Sequence, residues 1–413
     1  MAPRPSEPPW LGAAAPGLRV WALEPYFGGS HRQFLEGLRS YSSHEVTVHG
    51  LPGRHWKWRM HGGAVSLARS AAATPAEGAP HVLFASGMLD LPTYRSLAPS
   101  SVGFAPAMLY FHENQLTYPL PPGVERDLGY GLRQLVSAAA ADAVYFNSAF
   151  HRDEFLRAAA DLLAAMPDER SEWLVEEVAA RSRVLPLGCD LRRFDEHAPR
   201  CGDGDRPDDA HDASPGNRWG DPERGPLILW NQRWEYDKAP GEFFKALYAL
   251  QEASVAFRVA VAGANQGLPS AEFIEAHKRL GEHVVQWGRL DRFSDYADLL
   301  WQADIVVSTA LHEFFGVAVV EALYCGCRPV LPSRLSYPEL VPAEVHDRVL
   351  YDEGGLVPLL RQAMIAPLPW SPDWQRTWVT PYDWGCIAAR YDREVWSCWE
   401  NGCSRRGTVG NRA

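Results

Sequence analysis

The stretch STALHEFFGVAVVEAL, from Ser308 to Leu323, carries the signals that decide the fold. It follows a short apolar run, Ile305 to Val307, that predicts a buried strand, and Gly316 then opens an apolar run with helical spacing. A strand, a short turn and a helix in this order predict one unit of a parallel α/β sheet. The same alternation recurs along the chain, which predicts an α/β protein with two doubly wound domains.

The same stretch places two carboxylates, Glu313 and Glu321, on either side of the start of that helix. The backbone N–H groups of Phe315, Gly316 and Val317 and the helix dipole are expected to form an anion site there. A diphosphate flanked by two hydroxylated rings fits this arrangement, with Glu321 accepting hydrogen bonds from a ribose and Glu313 from a sugar. The alternative is an ordinary core helix that carries two unrelated carboxylates.

Two cations follow the first strand of the second half of the chain. Arg233 and Lys238 lie at or beyond the C-terminal edge of that strand, where they would neutralise a diphosphate leaving group. The alternative is a pair of surface charges balanced by Glu235 and Asp237.

The first half of the chain offers candidates at the ends of two predicted strands. Gly28 and Gly29 follow the first strand and allow close approach of the backbone to a ligand. This is not the G-x-G-x-x-G pattern, so no nicotinamide or flavin cofactor is indicated. His112, Glu113 and Asn114 follow a later buried strand, at the edge where open α/β sheets bind ligands.

Between these two strands, cationic and aromatic side chains alternate in the sequence RHWKWR. We predict a loop in which Arg54, Lys57 and Arg59 meet phosphates, while Trp56 or Trp58 stacks on a base. The alternative is a solvated loop with anchoring tryptophans. These six residues, 54–59, are called the basic–aromatic patch below.

Composition and charge limit the possible functions. A chain of 413 residues with 46% hydrophobic residues suggests two or three domains with large cores. A net charge of −11 argues against a surface coated with basic residues for nucleic acid, but it allows one local patch. No apolar run reaches the ~18 residues of a membrane span, so no membrane association is expected.

The seven cysteines have no zinc-finger spacing, and a reducing, cytoplasmic location is expected. Cys325 and Cys327 fit small buried thiols better than a redox or metal pair.

The sequence divides into five segments. Residues 1–17 lack the pattern of a signal peptide and are predicted to form a disordered tail. Residues 18–198 form an N-terminal domain, and residues 199–225, rich in Asp, Gly, Pro and Arg, form a linker or mobile loop. Residues 226–380 form the C-terminal domain, and residues 381–413 form a C-terminal segment.

Taken together, these motifs resemble the retaining GT-B glycosyltransferases. Arg233 and Lys238 match the Arg-x4-Lys phosphate clamp of that group, Glu313 and Glu321 match its Glu-x7-Glu motif, and His112 matches a histidine near the donor sugar. The resemblance implies two Rossmann-like domains that face each other across a cleft and transfer a sugar with retention. No Asp-x-Asp motif stands in the expected place, so no metal ion is expected.

Five segments have a closer resemblance, to the tRNA-queuosine α-mannosyltransferase family. They are EPYFGGSH at 24–31, WKWR at 56–59, YFHENQ at 110–115, RWEYDK at 233–238 and HEFFGV at 312–317. This resemblance implies transfer of mannose from GDP-mannose to the cyclopentene diol of queuosine in a tRNA anticodon. It also implies that residues 381–413 return to pack on the N-terminal domain, which holds the tRNA.

The candidate site residues follow from these motifs and the two resemblances. For catalysis they are His112, Arg233, Lys238 and Glu313. For the donor they are Gly28, Gly29, Arg233, Lys238, Glu313, Phe314, Phe315, Gly316, Val317 and Glu321. For the acceptor tRNA they are His31, Arg54, Trp56, Lys57, Trp58, Arg59, Glu113 and Asn114.

Three other functions remain as alternatives. A GT-B enzyme acting on a lipid or polysaccharide would need an amphipathic basic helix for membrane docking, and no strong one is present in the sequence. A non-catalytic RNA-binding protein using only the basic–aromatic patch would not need the clamp or the two glutamates. A sugar-nucleotide epimerase would need a nicotinamide fingerprint.

Overall fold

The computed structural model describes residues 17–73, 75–120, 123–199, 225–263, 270–365 and 370–410. The predicted tail at 1–17 and the predicted linker at 199–225 lie almost wholly outside these residues.

The first part of the chain forms a sheet of six parallel strands in the order β2-β1-β3-β4-β5-β6. The strands are β1 Arg19–Phe27, β2 Glu45–Pro52, β3 Val82–Ser86, β4 Ala107–Phe111, β5 Ala143–Phe146 and β6 Ser182–Val184. The helices around them are α1 Gly29–Tyr41, α2 Trp56–Ala71, α3 Leu91–Leu97, α4 Ser100–Gly103, α5 Leu128–Ala140, α6 Ala149–Ala164 and α7 Trp173–Arg181.

The second part forms another sheet of six parallel strands in the order β12-β11-β10-β7-β8-β9. The strands are β7 Leu227–Trp230, β8 Arg258–Ala262, β9 Val284–Gly288, β10 Ile305–Val307, β11 Arg328–Pro332 and β12 Leu350–Tyr351. The helices are α8 Pro240–Glu252, α9 Ala271–Leu280, α10 Phe293–Gln302, α11 Val317–Tyr324, α12 Tyr337–Leu340, α13 His346–Val349, α14 Leu356–Ile365, α15 Pro372–Val379 and α16 Trp384–Gly410.

The strands show why this sequence forms parallel sheets. Every residue of β3, β4, β7 and β11 is buried, as expected where helices cover both faces of a sheet. The two sheets and their covering helices confirm the predicted α/β fold with two Rossmann-like domains.

Helix α16 returns from the second domain and packs on the first. The indole of Trp384 lies where Gly37 and Gly188 have no side chain, and a Cβ at either glycine would overlap it. The Tyr391 hydroxyl donates to the carbonyl oxygen of Pro186 at 2.7 Å and lies 3.2 Å from the Tyr110 hydroxyl. The first part of α16 therefore joins the second domain back to the first.

One local prediction was wrong. The predicted loop at the basic–aromatic patch ends at His55, because α2 begins at Trp56. His55 has a left-handed backbone with φ of 55° and no capping side-chain hydrogen bond, so the usual signal of a helix start is missing. Strand β6 ends at Val184, two residues before Pro186, which has no N–H to donate.

Candidate active site

The C-terminal edges of the two sheets meet at one cleft. The Tyr118 hydroxyl of the first domain lies 3.4 Å from Nη2 of Arg233 in the second. The Tyr118 ring packs on the His312 ring at 4.7 Å, and the His151 ring stacks on the Phe314 ring at 3.7 Å. These contacts bring the candidate residues of the two domains into one site.

A carboxylate from the second domain also caps a helix of the first. The carboxylate oxygens of Glu339 accept hydrogen bonds from the backbone N–H groups of Ala149 at 2.8 Å and Phe150 at 2.7 Å. These two groups open α6, whose dipole favours a negative charge at that end. Glu339 therefore holds the two domains together beside the His151–Phe314 stack.

The start of α11 is occupied by a carboxylate of the chain itself. Oε1 of Glu313 accepts hydrogen bonds from the N–H groups of Phe315 at 3.4 Å and Gly316 at 3.1 Å. Two of the three N–H groups that were expected to bind an anion, those of Phe315 and Gly316, are therefore occupied by Glu313 in this structure. Gly316 has φ of 92°, where a side chain would be strained, and this turn aims the N–H groups at the carboxylate. An entering anion would have to displace Glu313 from these N–H groups.

Lys238 is a nearly buried cation next to Glu313. Its Nζ lies 2.7 Å from the carbonyl oxygen of His312, 3.0 Å from Asp237 and 3.3 Å from Glu313, and 7% of its side chain is exposed. Burial lowers the pKa of Lys238, but the two carboxylates outweigh burial and hold it above the usual value. Burial raises the pKa of Glu313, but Lys238 and the Phe315 N–H hold it below its usual value. Both groups are therefore charged near neutral pH.

Arg233 is the more accessible cation. Half of its side chain is exposed, and Nη1 lies 3.3 Å from Glu235. The pairings proposed as the alternative, Arg233 with Glu235 and Lys238 with Asp237, are therefore both present. They coexist with the cleft contacts, because the same two cations also reach Tyr118 and Glu313.

Glu321 lies inside α11 and is held by two residues that no sequence motif indicated. The Tyr296 hydroxyl donates to it at 2.8 Å, and Nη2 of Arg193 lies 3.2 Å away. Burial raises the pKa of Glu321, and Arg193 and Tyr296 oppose that rise in part. No spacing in the sequence links Arg193 to Glu321, because the pair is 128 residues apart.

On the other side of the cleft, Glu24, His31 and His112 form a cluster. Oε2 of the fully buried Glu24 lies 2.8 Å from Nδ1 of His31, and the His31 and His112 rings are 4.3 Å apart. Burial lowers the pKa of His31, but Glu24 outweighs this and raises it, whereas burial and His31 hold the pKa of His112 well below its usual value. Their ligand atoms all lie within 4.8 Å of one another, so this group has the composition of a metal site as well. Glu24 was not among the predicted site residues, although it lies in the motif at 24–31.

The residues after His112 differ in their exposure. Asn114 is fully buried, and its Oδ1 accepts hydrogen bonds from the N–H groups of Leu116 and Thr117, both at 3.0 Å. The Asn114 side chain therefore stabilises a turn instead of facing a tRNA. Glu113 is partly exposed, and its backbone carbonyl accepts a hydrogen bond from Gln134 at 3.4 Å.

The basic–aromatic patch begins directly after Gly53, which contacts the turn after β1. A Cβ on Gly28 would be 3.1 Å from the Cα of Gly53, so the two turns are in contact. Trp56 is 37% exposed and packs on the Tyr130 ring at 5.4 Å, while Trp58 is 64% exposed. The first turn of α2 therefore presents two accessible indoles beside the turn that carries Gly28.

Comparisons with known proteins agree with this geometry. Residues 19–189 match the sequence profile of the family described as tRNA-queuosine alpha-mannosyltransferase N-terminal, and residues 217–357 match Glycosyl transferases group 1. A glycosyltransferase from Rickettsia africae superposes with a TM-score of 0.64 at 12% identity, covering 94% of this chain and 99% of that one. Two Rossmann-like domains with the clamp and both glutamates at the cleft define a GT-B glycosyltransferase.

Sequence relatives define the family more closely. The tRNA-queuosine alpha-mannosyltransferase of Drosophila melanogaster is 35% identical over 335 residues, which are 81% of this chain and 84% of the relative. A GDP-mannose:cellobiosyl-diphosphopolyprenol alpha-mannosyltransferase of Xanthomonas campestris is 26% identical over 174 residues, 40% of this chain and 46% of that protein. The chain belongs to the tRNA-queuosine alpha-mannosyltransferase family.

Proposed function

We propose that this protein transfers mannose from GDP-mannose, with retention, to the cyclopentene diol of queuosine in a tRNA anticodon. The observation that carries this proposal is the cleft, to which the second domain contributes the charged pair Lys238–Glu313 and the first domain the adjacent rings of His31 and His112. A match over four fifths of the chain to the Drosophila relative supports queuosine in tRNA as the acceptor. Both relatives named above are mannosyltransferases, which supports mannose as the transferred sugar.

The leaving diphosphate is stabilised by charge. When the bond between the anomeric carbon and the diphosphate oxygen breaks, negative charge develops beside Lys238 and Arg233, which stabilise it. The acceptor hydroxyl forms the new bond on the same face, and its proton goes to the departing diphosphate oxygen. His112, which burial keeps uncharged, and Glu313 orient the sugar. The contacts of Tyr118 and Glu339 between the domains favour a closed cleft that excludes water.

The two cations meet the diphosphate without a metal ion in this mechanism. We therefore propose that no divalent ion is required.

We also propose that the reaction occurs in the cytoplasm. Among the described residues, no helix is long and apolar enough to cross a membrane.

Mass spectrometry of tRNA nucleosides tests this function. Purified protein is incubated with GDP-mannose and either queuosine-containing or unmodified tRNA, with UDP-sugars in parallel and with EDTA in one arm. We expect one hexose to be added to queuosine, only from GDP-mannose and equally in EDTA. Transfer without preference for queuosine-containing tRNA would contradict the proposal that queuosine is the acceptor. Transfer from a UDP-sugar would contradict the proposal that GDP-mannose is the donor.

A further inference from the structure

The buried carboxylate of Glu24 has no part in the transfer described above. It lies near the C-terminal end of β1 and has no exposed surface. A carboxylate is costly to bury unless its oxygens are paired and hydrogen-bonded. Both oxygens of Glu24 are used: Oε1 accepts from the N–H of Tyr26 at 2.8 Å, and Oε2 pairs with Nδ1 of His31 at 2.8 Å.

This pairing fixes the state of the His31 ring. An ionised carboxylate only accepts hydrogen bonds, so Nδ1 of His31 carries a proton, and the ring is held by its contact with Glu24. Nε2 is then the ring atom left for a ligand. A hydroxyl group can both donate and accept a hydrogen bond, so it suits Nε2 whether or not that nitrogen is protonated.

The position of His31 suits an acceptor next to the donor sugar. Its ring lies 4.3 Å from the ring of His112, and 7% of the residue is exposed. Gly29, two residues earlier, has φ of 52°, and a Cβ placed there would meet no atom within 4 Å. The start of α1, which carries His31, therefore borders open space, and Gly53, just before the basic–aromatic patch, contacts Gly28 beside it.

We propose that Glu24 and His31 form a binding site for a vicinal diol on the acceptor. Nε2 of His31 bonds to the hydroxyl that does not react, and this contact places the neighbouring hydroxyl at the anomeric carbon. Glu24 is a positioning residue that acts through His31. This inference rests on the proposed function, because a diol-bearing acceptor is part of that function.

Three variants and one control test the site. His31→Phe keeps a ring but removes the hydrogen bond, His31→Gln restores a polar group, and Glu24→Gln removes the charge that holds the ring. His283→Gln is the control, because its ring stacks on Phe257 in the second domain, outside the cleft. Transfer kinetics are measured against queuosine-containing tRNA, together with GDP-mannose affinity and GDP-mannose hydrolysis without tRNA.

We expect kcat/KM for tRNA to fall about 30-fold in His31→Phe and about tenfold in Glu24→Gln, the range for removing one hydrogen bond in a binding site. His31→Gln should lose less than His31→Phe. Donor affinity and hydrolysis should stay within about twofold of the parent in all variants, which a merely misfolded protein would not show.

The outcomes separate this inference from the proposed function. If the parent transfers mannose and His31→Phe transfers equally well, the diol is bound elsewhere and only this inference fails. If donor affinity falls together with transfer, the cluster binds the donor sugar, which also overturns the inference. Loss of transfer in EDTA, restored by Zn²⁺, would assign Glu24, His31 and His112 to a metal ion instead. A parent that hydrolyses GDP-mannose but never modifies queuosine removes the proposed function and the diol site together.

Discussion

The two sides of the cleft differ in the ionisation of their buried side chains. On the donor side, Lys238 and Glu313 stay ionised because each lies beside the other in a partly dehydrated site. On the acceptor side, burial keeps His112 and His151 uncharged, and the buried carboxylate of Glu24 is paired with His31. This difference suits the two proposed roles, in which one side stabilises a diphosphate and the other binds hydroxyl groups.

The largest expected effect comes from removing a cation on the donor side. Lys238→Ala should lower kcat by about 10²-fold or more, the range for losing one preorganised electrostatic stabiliser. Arg233→Ala should lose less than Lys238→Ala, because half of the Arg233 side chain is in solvent and its field is screened more. Steady-state transfer rates measure both.

Lys245→Ala is the matched control for Lys238, since Lys245 is an exposed lysine of α8. It should behave like the parent. Equal activity of parent and Lys238→Ala, with an unchanged circular dichroism spectrum, would show that the buried cation does not act on the diphosphate.

The acceptor side should respond through tRNA affinity. Replacing Lys57 and Arg59 with Gln should weaken tRNA binding about tenfold and reduce the slope of log K against log salt by roughly 0.7 for each phosphate of a single-stranded loop that is no longer neutralised. Trp58→Ala should weaken binding with little change of this slope, because stacking releases no counterions. Filter binding over a series of salt concentrations measures both quantities.

Arg69→Gln tests whether tRNA affinity depends on the charges of the basic–aromatic patch or on positive charge anywhere along α2. Arg69 is exposed near the other end of α2, twelve residues and about 18 Å from Lys57 along the helix. If its removal weakened tRNA binding as much as a change at Lys57, the tRNA would not be bound at the first turn of α2. GDP-mannose affinity should be unchanged in all of these variants.

Removing the contact that Glu339 makes between the two domains should have a smaller effect. Glu339→Ala leaves the N–H groups that open α6 without their carboxylate, which costs about 0.3–1 kcal/mol for an exposed charge at a helix end. We expect kcat/KM to fall about two- to fivefold and the radius of gyration from X-ray scattering to rise. Glu344→Ala removes an exposed carboxylate nearby on the same segment and should change neither quantity. A compact, fully active Glu339→Ala would mean that other contacts close the cleft.

A further prediction concerns how the stability of the folded protein depends on pH. Burial, with Lys238 nearby, lowers the pKa of His312 to about 4. Between pH 6.5 and 4 the unfolded chain therefore binds a proton at His312 that the folded chain does not, so stability falls as pH decreases through this window. The contribution is at most about 1.4 kcal/mol per pH unit. Urea unfolding at pH 7.5 and 5 should show that the free energy of unfolding falls less for His312→Gln than for the parent. An equal fall in both proteins would exclude His312 as a source of this pH dependence.

Patterns within short segments predicted much of this structure. The strand and helix that flank 308–316 follow from a β-branched run and an apolar helical run. The motif residues Arg233 and Glu313 lie in the loops that follow β7 and β10, at the edge where parallel sheets bind ligands. Such patterns depend on neighbours within about one or two turns, so they can be recognised without the fold. The start of α2 was missed for the same reason, because no capping residue precedes Trp56.

The amino-acid sequence by itself determined the two sheets, the clamp and glutamate motifs, and the family resemblance. Only the tertiary structure decided that Tyr118 meets Arg233, that Arg193 holds Glu321, and that Glu339 caps α6. Each of these contacts joins residues more than a hundred positions apart, so no local spacing encodes it. Their geometry depends on how one domain lies against the other, and that placement comes from burial over whole surfaces, including the return of α16 onto the first domain.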